Sequence, residues 1–497
     1  MPTATDRSPP AAVGLHAATA GRRRRNALAV AAAVGLAGPT ALAFFSGGYF
    51  APARSWAGLL AWALAAVGVA LGAAPLPVAR SSRVAIAALA GLAVWTLASV
   101  AWAPVAGAAY GAGELAALYV GALIAAAALL RGGKPQRAAE PALAAGTAIV
   151  IGYGIAERLV PGLLHYARSV TAQGRLEQPL TYWNAMGELA ALGFVLAARL
   201  AGDATRPRGL RAAAAAAGVP LGLGVYMSFS RGALFACVAG LIALVVLAPT
   251  VAQLRGALLT VGTGVLAVLV CAPFRAVTLM RGSLGTQERD GAIVLVALVV
   301  VGAVTALAAR RALGPQPDAP LRLPRRAPLL ALLVICAGFA LAVALGAHES
   351  NTQPLAAGAT RYETFQSNRY AYWGVAFQAF ASAPVQGVGA GGWAVWWLRH
   401  RTVNAGAQDA HSLELQTLAE LGLVGVALLA ALIAATALAA RRALRAAPAA
   451  AAGPAAGLVV YIAHSPLDWD WQMPAVTLIA VALAGLVLAL ADRAGPA

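Results

Sequence analysis

Charged residues are scarce in this sequence. Asp, Glu, Lys and Arg make up 11% of its 497 residues, and 61% of the residues are hydrophobic, whereas roughly a quarter of an ordinary soluble domain is charged. No soluble fold buries that much apolar surface. The apolar runs are close to the ~20 residues that cross a bilayer as a helix, and they lack the ~10-residue alternation of a membrane barrel. The sequence therefore predicts an all-α polytopic membrane protein.

Cysteine is nearly absent as well. Cys237, Cys271 and Cys336 lie in separate apolar runs, a scatter that excludes a zinc site and a disulfide framework. We expect all three to be small, buried hydrophobic residues.

Lysine is missing except for Lys134, although basic residues outnumber acidic ones by 36 to 18. A net charge of +18 could indicate a nucleic-acid partner. The sequence contains no soluble basic domain and no basic patch interleaved with aromatic residues, so we predict no nucleic acid among the partners.

The apolar runs predict about 12–14 membrane-spanning helices. The arginines of "GRRRRN" precede the first run, which is too long for a cleavable signal peptide and predicts a retained span. We divide the chain into a basic cytoplasmic tail (1–26), a transmembrane bundle (27–347), a long extracytoplasmic loop (348–410) and C-terminal transmembrane helices (411–497). The predicted spans lie near residues 27–46, 56–77, 84–102, 113–130, 141–160, 181–200, 212–229, 232–249, 256–273, 291–309, 328–347, 412–440, 446–463 and 473–491.

A cytoplasmic N-terminus places most basic residues in cytoplasmic connections, as the positive-inside rule requires. The basic residues that this topology places outside are all arginines, whose planar fork matches phosphate and carboxylate oxygens. We expect Arg54, Arg281 and Arg399 to reflect composition alone. The outward arginines are Arg54, Arg158, Arg168, Arg175, Arg231, Arg275, Arg281, Arg289, Arg361, Arg369, Arg399 and Arg401.

The outward segment 348–410 is too long for a connector and too aromatic for a disordered linker, which indicates a functional loop. Within it, "NRYAYWGVAFQAFASAP" predicts an amphipathic helix that begins near Arg369 and ends before Pro384. The following "QGVGAGGW" predicts a glycine-rich turn. No strand precedes these glycines, so they do not indicate a dinucleotide site.

The stretch "DAHSLELQTLAELGLVG" opens a predicted span. Asp409 or Ser412 can cap this helix, which leaves His411 in the first turn at the outer boundary. The helix dipole and partial burial favour a neutral imidazole that can accept a proton. The alternative is an interfacial histidine with a satisfied hydrogen bond. Gly422 and Gly425 predict a notch that another helix can approach.

Four further polar residues lie on the same predicted side. Ser230 is a good N-cap that leaves Arg231 in the first turn of a span, where an ionisable residue indicates function unless it snorkels to the surface. Arg175 and Asn184 flank the outward stretch "GRLEQPLTYWNAMG".

The outward turn "HSPLDWDWQMP" between the last two spans contains His464, Asp468 and Asp470. We considered a metal site there and expect none, because the ligands are too few and a turn is exposed to water. The two tryptophans also suit an aromatic belt.

These stretches resemble the O-antigen ligase and O-antigen polymerase family of bacterial envelope enzymes. "HSLELQTLAELGLVG" is similar to the ligase pattern of a histidine followed by two spaced glycines. "SFSRG" resembles the serine-arginine word that contains Arg231. "NRYAYW" with "APVQGVGAGGW" resembles the periplasmic-loop region that contains Arg369. "GRLEQPLTYWNAMG" resembles the word that contains Arg175 and Asn184.

The resemblance implies a fold of the GT-C type in the bacterial inner membrane, with the active site on the extracytoplasmic face. It implies a metal-independent, inverting glycosyl transfer without a cofactor. The glycan would pass from undecaprenyl pyrophosphate to a lipid, glycan or protein acceptor, and membrane lipids would be further partners. In that interpretation His411 is the base, and Arg231 and Arg369 stabilise the leaving pyrophosphate.

The remaining candidate residues are assigned to substrate contact. They are Arg175, Asn184, Ser230, Asp468 and His464, with Asp468 orienting either the base or a sugar hydroxyl. Ligase and polymerase share their leaving-group chemistry, so the motifs leave that choice open. The alternative from another class is a transporter of an anion or a lipid-linked sugar. Transporters tend to show repeats and broken midplane spans, which this sequence lacks.

Overall fold

The computed structural model describes residues 11–72, 77–313, 319–348, 358–364 and 366–494. Residues 1–10 of the predicted basic tail, and residues 349–357 and 365 of the predicted long loop, lie outside this description. The chain is 79% helical and has no strands among the described residues, so the predicted fold class is confirmed.

The described residues form eighteen α-helices. They are α1 (Ala11–Ala43), α2 (Ala51–Leu71), α3 (Arg80–Ala98), α4 (Ala106–Leu129), α5 (Gly133–Leu159), α6 (Trp183–Gly202), α7 (Arg208–Ala216), α8 (Gly218–Met227), α9 (Arg231–Leu247), α10 (Val251–Cys271), α11 (Arg275–Thr278), α12 (Leu284–Ala312), α13 (Ala327–His348), α14 (Arg369–Ser382), α15 (Gly392–His400), α16 (Leu413–Ala446), α17 (Pro448–His464) and α18 (Pro474–Ala491).

Thirteen segments in the described part of the chain are long and apolar enough to cross a membrane. The helix α9, which the sequence predicts as a further span, is apolar but shorter than these. Helices α7 and α8 together form one span, Arg208–Met227. The first helix begins at Ala11, so the arginines before the predicted first span extend that helix.

Alternate connections contact one another at each end of the bundle, as the predicted topology requires. At one end Tyr49 packs on Trp469, and the Arg158 guanidinium donates to Thr278 O. At the other end Arg131 pairs with Asp492 at 2.9 Å. The predicted outward connections therefore gather at the end that contains His411.

Helix α6 lies at the centre of the bundle, where every residue from Asn184 to Gly202 is buried. Its glycines allow close helix contacts: a Cβ on Gly193 would collide with the Thr147 side chain of α5. Near its far end Arg199 donates to Gln253 at 2.9 Å and pairs with Asp203 at 3.2 Å. These contacts fix α6 along its length and thereby fix Asn184 at the His411 end.

The notch predicted at Gly422 and Gly425 receives a loop instead of a helix. Gly422 has φ 63° and ψ −160°, a conformation that only glycine adopts readily, and it kinks α16. A Cβ on Gly422 would collide with Val385 O of the loop after α14. This loop is the predicted glycine-rich turn, in which Gly387, Gly389 and Gly391 all have positive φ.

Two of the three cysteines are buried as predicted, and the expectation for the third is wrong. Cys336 is exposed because it lies on α13, a peripheral helix. Only 6% of the most apolar stretch of this helix is buried inside the protein.

Candidate active site

The carboxylate of Asp468 joins four segments of the chain. It is fully buried, and each of its oxygens accepts more than one hydrogen bond. Oδ1 accepts from the Tyr182 hydroxyl at 2.6 Å and from its neighbour Trp469 N at 3.0 Å. Oδ2 accepts from Asn184 Nδ2 at 2.6 Å and from Arg369 Nη2 at 2.9 Å. Such a complete set of donors fixes the carboxylate in one orientation.

The His411 ring completes this arrangement, with Nδ1 lying 3.0 Å from Asp468 Oδ1. A proton on Nδ1 that is donated to this carboxylate leaves Nε2 as the acceptor nitrogen. The ring also stacks on Tyr372 with a centroid distance of 5.2 Å. With 21% of its side chain exposed, His411 is held in place but remains accessible.

The backbone at His411 supports the same orientation. His411 has φ 51°, an unusual value for a residue other than glycine. The next residue, Ser412, caps α16 by accepting a bond from Leu415 N at 3.2 Å, so the predicted cap is present. His411 therefore precedes the helix instead of lying in its first turn, and its ring is directed by this local bend.

Opposing forces act on the ionisation of Asp468. Burial raises the pKa of this carboxyl, but Arg369 and His411 lower it more strongly, and the net pKa is well below the usual range. The pKa of Tyr182 is raised by burial and then by the charge of Asp468. Asp468 is consequently ionised, and Tyr182 keeps its proton to donate.

Arginines surround this centre from separate segments. Arg369 begins α14 and pairs with Asp468. Arg231 begins α9, and its Nη2 donates to Gln366 O at 2.7 Å. Arg175 lies with its guanidinium carbon 3.8 Å from the centroid of the Trp183 ring. The three arginines that the sequence singles out therefore converge on the end of the bundle where His411 lies.

Arg361 is a further arginine of this group that the sequence interpretation did not select. It is 8% exposed, and its Nε donates to Phe229 O, two residues before Arg231. Burial and then the charge of Arg369 lower its pKa. Burial and then the charge of Arg361 lower the pKa of Arg175 to about 10. Cations this close repel one another, so the group suits a ligand with more than one negative charge.

The other candidate residues have roles within the protein. Asn184 contacts Asp468 instead of facing open space. Ser230 is 4% exposed and caps α9 by accepting from Ala233 N at 3.2 Å. His464 is fully buried, and its Nδ1 lies 2.5 Å from Asp470 Oδ2 and 3.3 Å from Glu188 Oε2.

The turn that contains His464 and Asp470 is buried, which contradicts the expectation of an exposed turn. The cause is Glu188, a carboxyl in the middle of α6 that the sequence interpretation missed. The three side chains bring one ligand atom each within 4.8 Å of one another, a spacing that could hold a metal ion. The close contact of His464 with Asp470 already makes a charge-assisted hydrogen bond, and we interpret the group as a buried ionic cluster.

Residues 276–430 match the family described as O-antigen ligase. This region is an O-antigen ligase domain. The family resemblance seen in the sequence is thereby confirmed, and the domain is of the type found in membrane glycosyltransferases that act as ligases or polymerases. No curated protein matches the chain. The ligase domain contains Arg361, Arg369 and His411, whereas Arg231 and Asp468 join the site from outside it.

Proposed function

We propose that this protein transfers a glycan from undecaprenyl pyrophosphate to an acceptor hydroxyl at the extracytoplasmic face of the bacterial inner membrane. One observation carries the proposal. Asp468 binds His411 through one oxygen and Arg369 through the other. A single buried carboxylate thus couples a base to a cation, the two groups that glycosyl transfer from a diphosphate requires.

The base acts on the acceptor. His411 Nε2 takes the proton of the acceptor hydroxyl as its oxygen attacks the anomeric carbon of the donor sugar. Asp468 holds the imidazole in the required tautomer and stabilises the imidazolium that forms. The Tyr372 ring supports one face of the imidazole.

The arginines act on the leaving group. As the new bond from the acceptor oxygen to the anomeric carbon forms, the bond from that carbon to the phosphate oxygen breaks, and its electron pair goes to the diphosphate. Arg231, Arg361, Arg369 and Arg175 stabilise the charge that develops there. Arginine suits this role because its fork matches phosphate oxygens. This supports a transfer that needs no divalent metal and inverts the anomeric centre in one displacement.

Ligase and polymerase differ only in the acceptor, which is a different lipid, glycan or protein for a ligase and a second repeat unit for a polymerase. The sequence motif of a histidine followed by two spaced glycines favours the ligase. The same assay decides between the two when each acceptor is offered separately.

The test uses the purified protein in lipid with an undecaprenyl-pyrophosphate glycan and each candidate acceptor. We expect release of undecaprenyl pyrophosphate without added metal, lost in His411→Ala and in Arg231→Ala at normal protein levels. His400→Ala is the matched control, because His400 is an exposed histidine at the end of α15. Uptake of solute into vesicles with no glycan transfer would instead establish a transporter.

A further inference from the structure

A large apolar groove lies between α1, α2, α4 and α18, outside the site described above. Its volume is about 720 Å³, and Val34, Gly38, Phe45, Trp56 and Leu478 are among its lining residues. Along α1 it extends from Ala32 to Leu42, which is about 15 Å of helix. Ser46 is the only residue in its lining with a hydroxyl group.

Spans in a membrane normally pack closely. A void of this size would remove many dispersion contacts, so it is filled in the membrane. The walls are aliphatic and aromatic, and Trp56 is 73% exposed and Phe45 65% exposed. Such walls fit a lipid chain.

The end of the groove at Phe45 and Phe50 lies beside the active site. Tyr49, between them, stacks edge-on against Phe50 with a centroid distance of 5.3 Å. On its other side Tyr49 contacts the Trp469 ring at 5.6 Å. Trp469 directly follows Asp468, the partner of Arg369. Two aromatic rings therefore separate the phosphate-binding arginine from the groove.

This aromatic path continues to a second arginine. Trp469 stacks on Tyr182 at 4.3 Å, Tyr182 contacts Trp183 at 5.2 Å, and Trp183 lies under Arg175. A continuous row of rings thus connects the cationic group to the apolar groove. A ligand that occupies both places has an anionic head and a long apolar chain.

We propose that the groove binds the lipid chain of the diphosphate substrate, with the head at the arginines and the chain crossing Trp469 and Tyr49 into the membrane. This inference rests on the proposed function for the identity of the head group. It adds that recognition of the substrate depends on chain length, because a short chain ends before it reaches the groove.

The experiment measures binding, without turnover, of undecaprenyl diphosphate and of the short-chain farnesyl diphosphate to the full-length protein in detergent. Gly38→Leu narrows the groove, and a Cβ at Gly38 meets no atom within 4 Å, so the fold tolerates it. Gly262→Leu is the matched control, because Gly262 lies within α10 and also has open space at its Cβ. Trp56→Ala removes an exposed wall residue and provides a second test.

We expect the wild-type protein to bind the long-chain diphosphate at least about tenfold more tightly than the short one, since each buried methylene contributes to affinity. Gly38→Leu and Trp56→Ala should reduce this preference several-fold while leaving farnesyl diphosphate binding unchanged. Gly262→Leu should change neither affinity.

Failure of this inference is distinguishable from failure of the proposed function. If the wild-type protein binds both diphosphates with equal affinity, or Gly38→Leu and Trp56→Ala keep the full preference, ordinary bilayer lipid or an acceptor chain occupies the groove and the inference is overturned. If the wild-type protein binds neither diphosphate, the donor assignment itself is wrong, and this inference falls with it.

Discussion

His411 Nδ1 lies 3.0 Å from Asp468 Oδ1, although 57 residues separate them in the chain. The contact joins the end of the long loop to the turn between the last two spans. It fixes the orientation of a solvent-accessible histidine, and the same carboxylate restrains Arg369. The first prediction tests this relationship.

Asp468→Asn should lower kcat at least about 100-fold, the scale of an oriented general base. The amide keeps the shape of the carboxyl but loses the charge that stabilises the imidazolium and pairs with Arg369. Steady-state transfer rates at saturating donor and acceptor provide the measurement. Asp290→Asn, which changes a carboxyl at the start of α12, should leave kcat intact. A kcat for Asp468→Asn within a few-fold of wild type would contradict the role assigned to Asp468.

The contribution of Asp468 to stability should depend on pH in one direction. Its folded pKa is lowered below the unfolded value of about 3.9. A group of this kind stabilises the fold fully above its unfolded pKa and loses that contribution as the pH falls toward the folded pKa. The difference in melting temperature between the wild type and Asp468→Asn should therefore be constant above about pH 5 and shrink below about pH 4. A difference that grows on acidification would refute the ion-pair interpretation.

Arg361→Ala should raise KM for the lipid-linked donor between about tenfold and 100-fold, because a charged hydrogen bond to phosphate contributes about 1.5–3 kcal/mol. Arg361→Lys should recover part of the loss, since it restores charge without the planar fork. Arg281→Ala is the control, as Arg281 is an exposed arginine on the same side of the bundle. An unchanged donor KM in Arg361→Ala would remove Arg361 from the site.

Two substitutions in the buried cluster of Glu188, His464 and Asp470 should lower the stability of the fold by different amounts. His464→Ala leaves the Glu188 and Asp470 carboxylates buried without their shared partner, which should destabilise the fold by about 3–5 kcal/mol. Glu188→Gln changes the carboxyl that lies farther from His464 and keeps the bond between His464 and Asp470, so its effect should be much smaller. Chemical denaturation in detergent measures both. Equal losses would show that His464 does not mediate between the two carboxylates.

Gly422→Ala should destabilise the protein and reduce transfer, because a Cβ there collides with Val385 O and the backbone has a positive φ. Gly374→Ala is the matched control: Gly374 lies within α14 with open space at its Cβ, where alanine favours the helix. Melting temperatures of the two variants should shift in opposite directions. A tolerated Gly422→Ala would mean that the loop after α14 can move aside.

The membrane bundle was predictable because hydropathy over about 20 residues is a strong signal. The caps at Ser230 and Ser412 were predictable for a local reason as well, since a side-chain oxygen at that position satisfies the first backbone donors of a helix. The positions of Arg231, Arg369 and His411 followed from the same boundaries. Their common location at one end of the bundle needed only the alternation of spans.

The partners of these residues were not predictable from local patterns. Asp468 was a candidate for orienting the base, but its simultaneous bonds to Tyr182, Asn184 and Arg369 depend on contacts between segments far apart in the chain. Arg361 has no distinguishing neighbour in the sequence. A signal did exist for Glu188, because a single carboxyl inside a span is costly and indicates a partner.

In the proposed mechanism the base, the carboxylate and the cations come from segments that leave the ribosome at widely different times. Asp468 lies in the connection between α17 and α18, so it is synthesised after His411 and all four arginines. A partly inserted chain therefore carries an undirected histidine and uncoupled cations. In the proposed mechanism, transfer therefore begins only after the turn between α17 and α18 has joined the bundle.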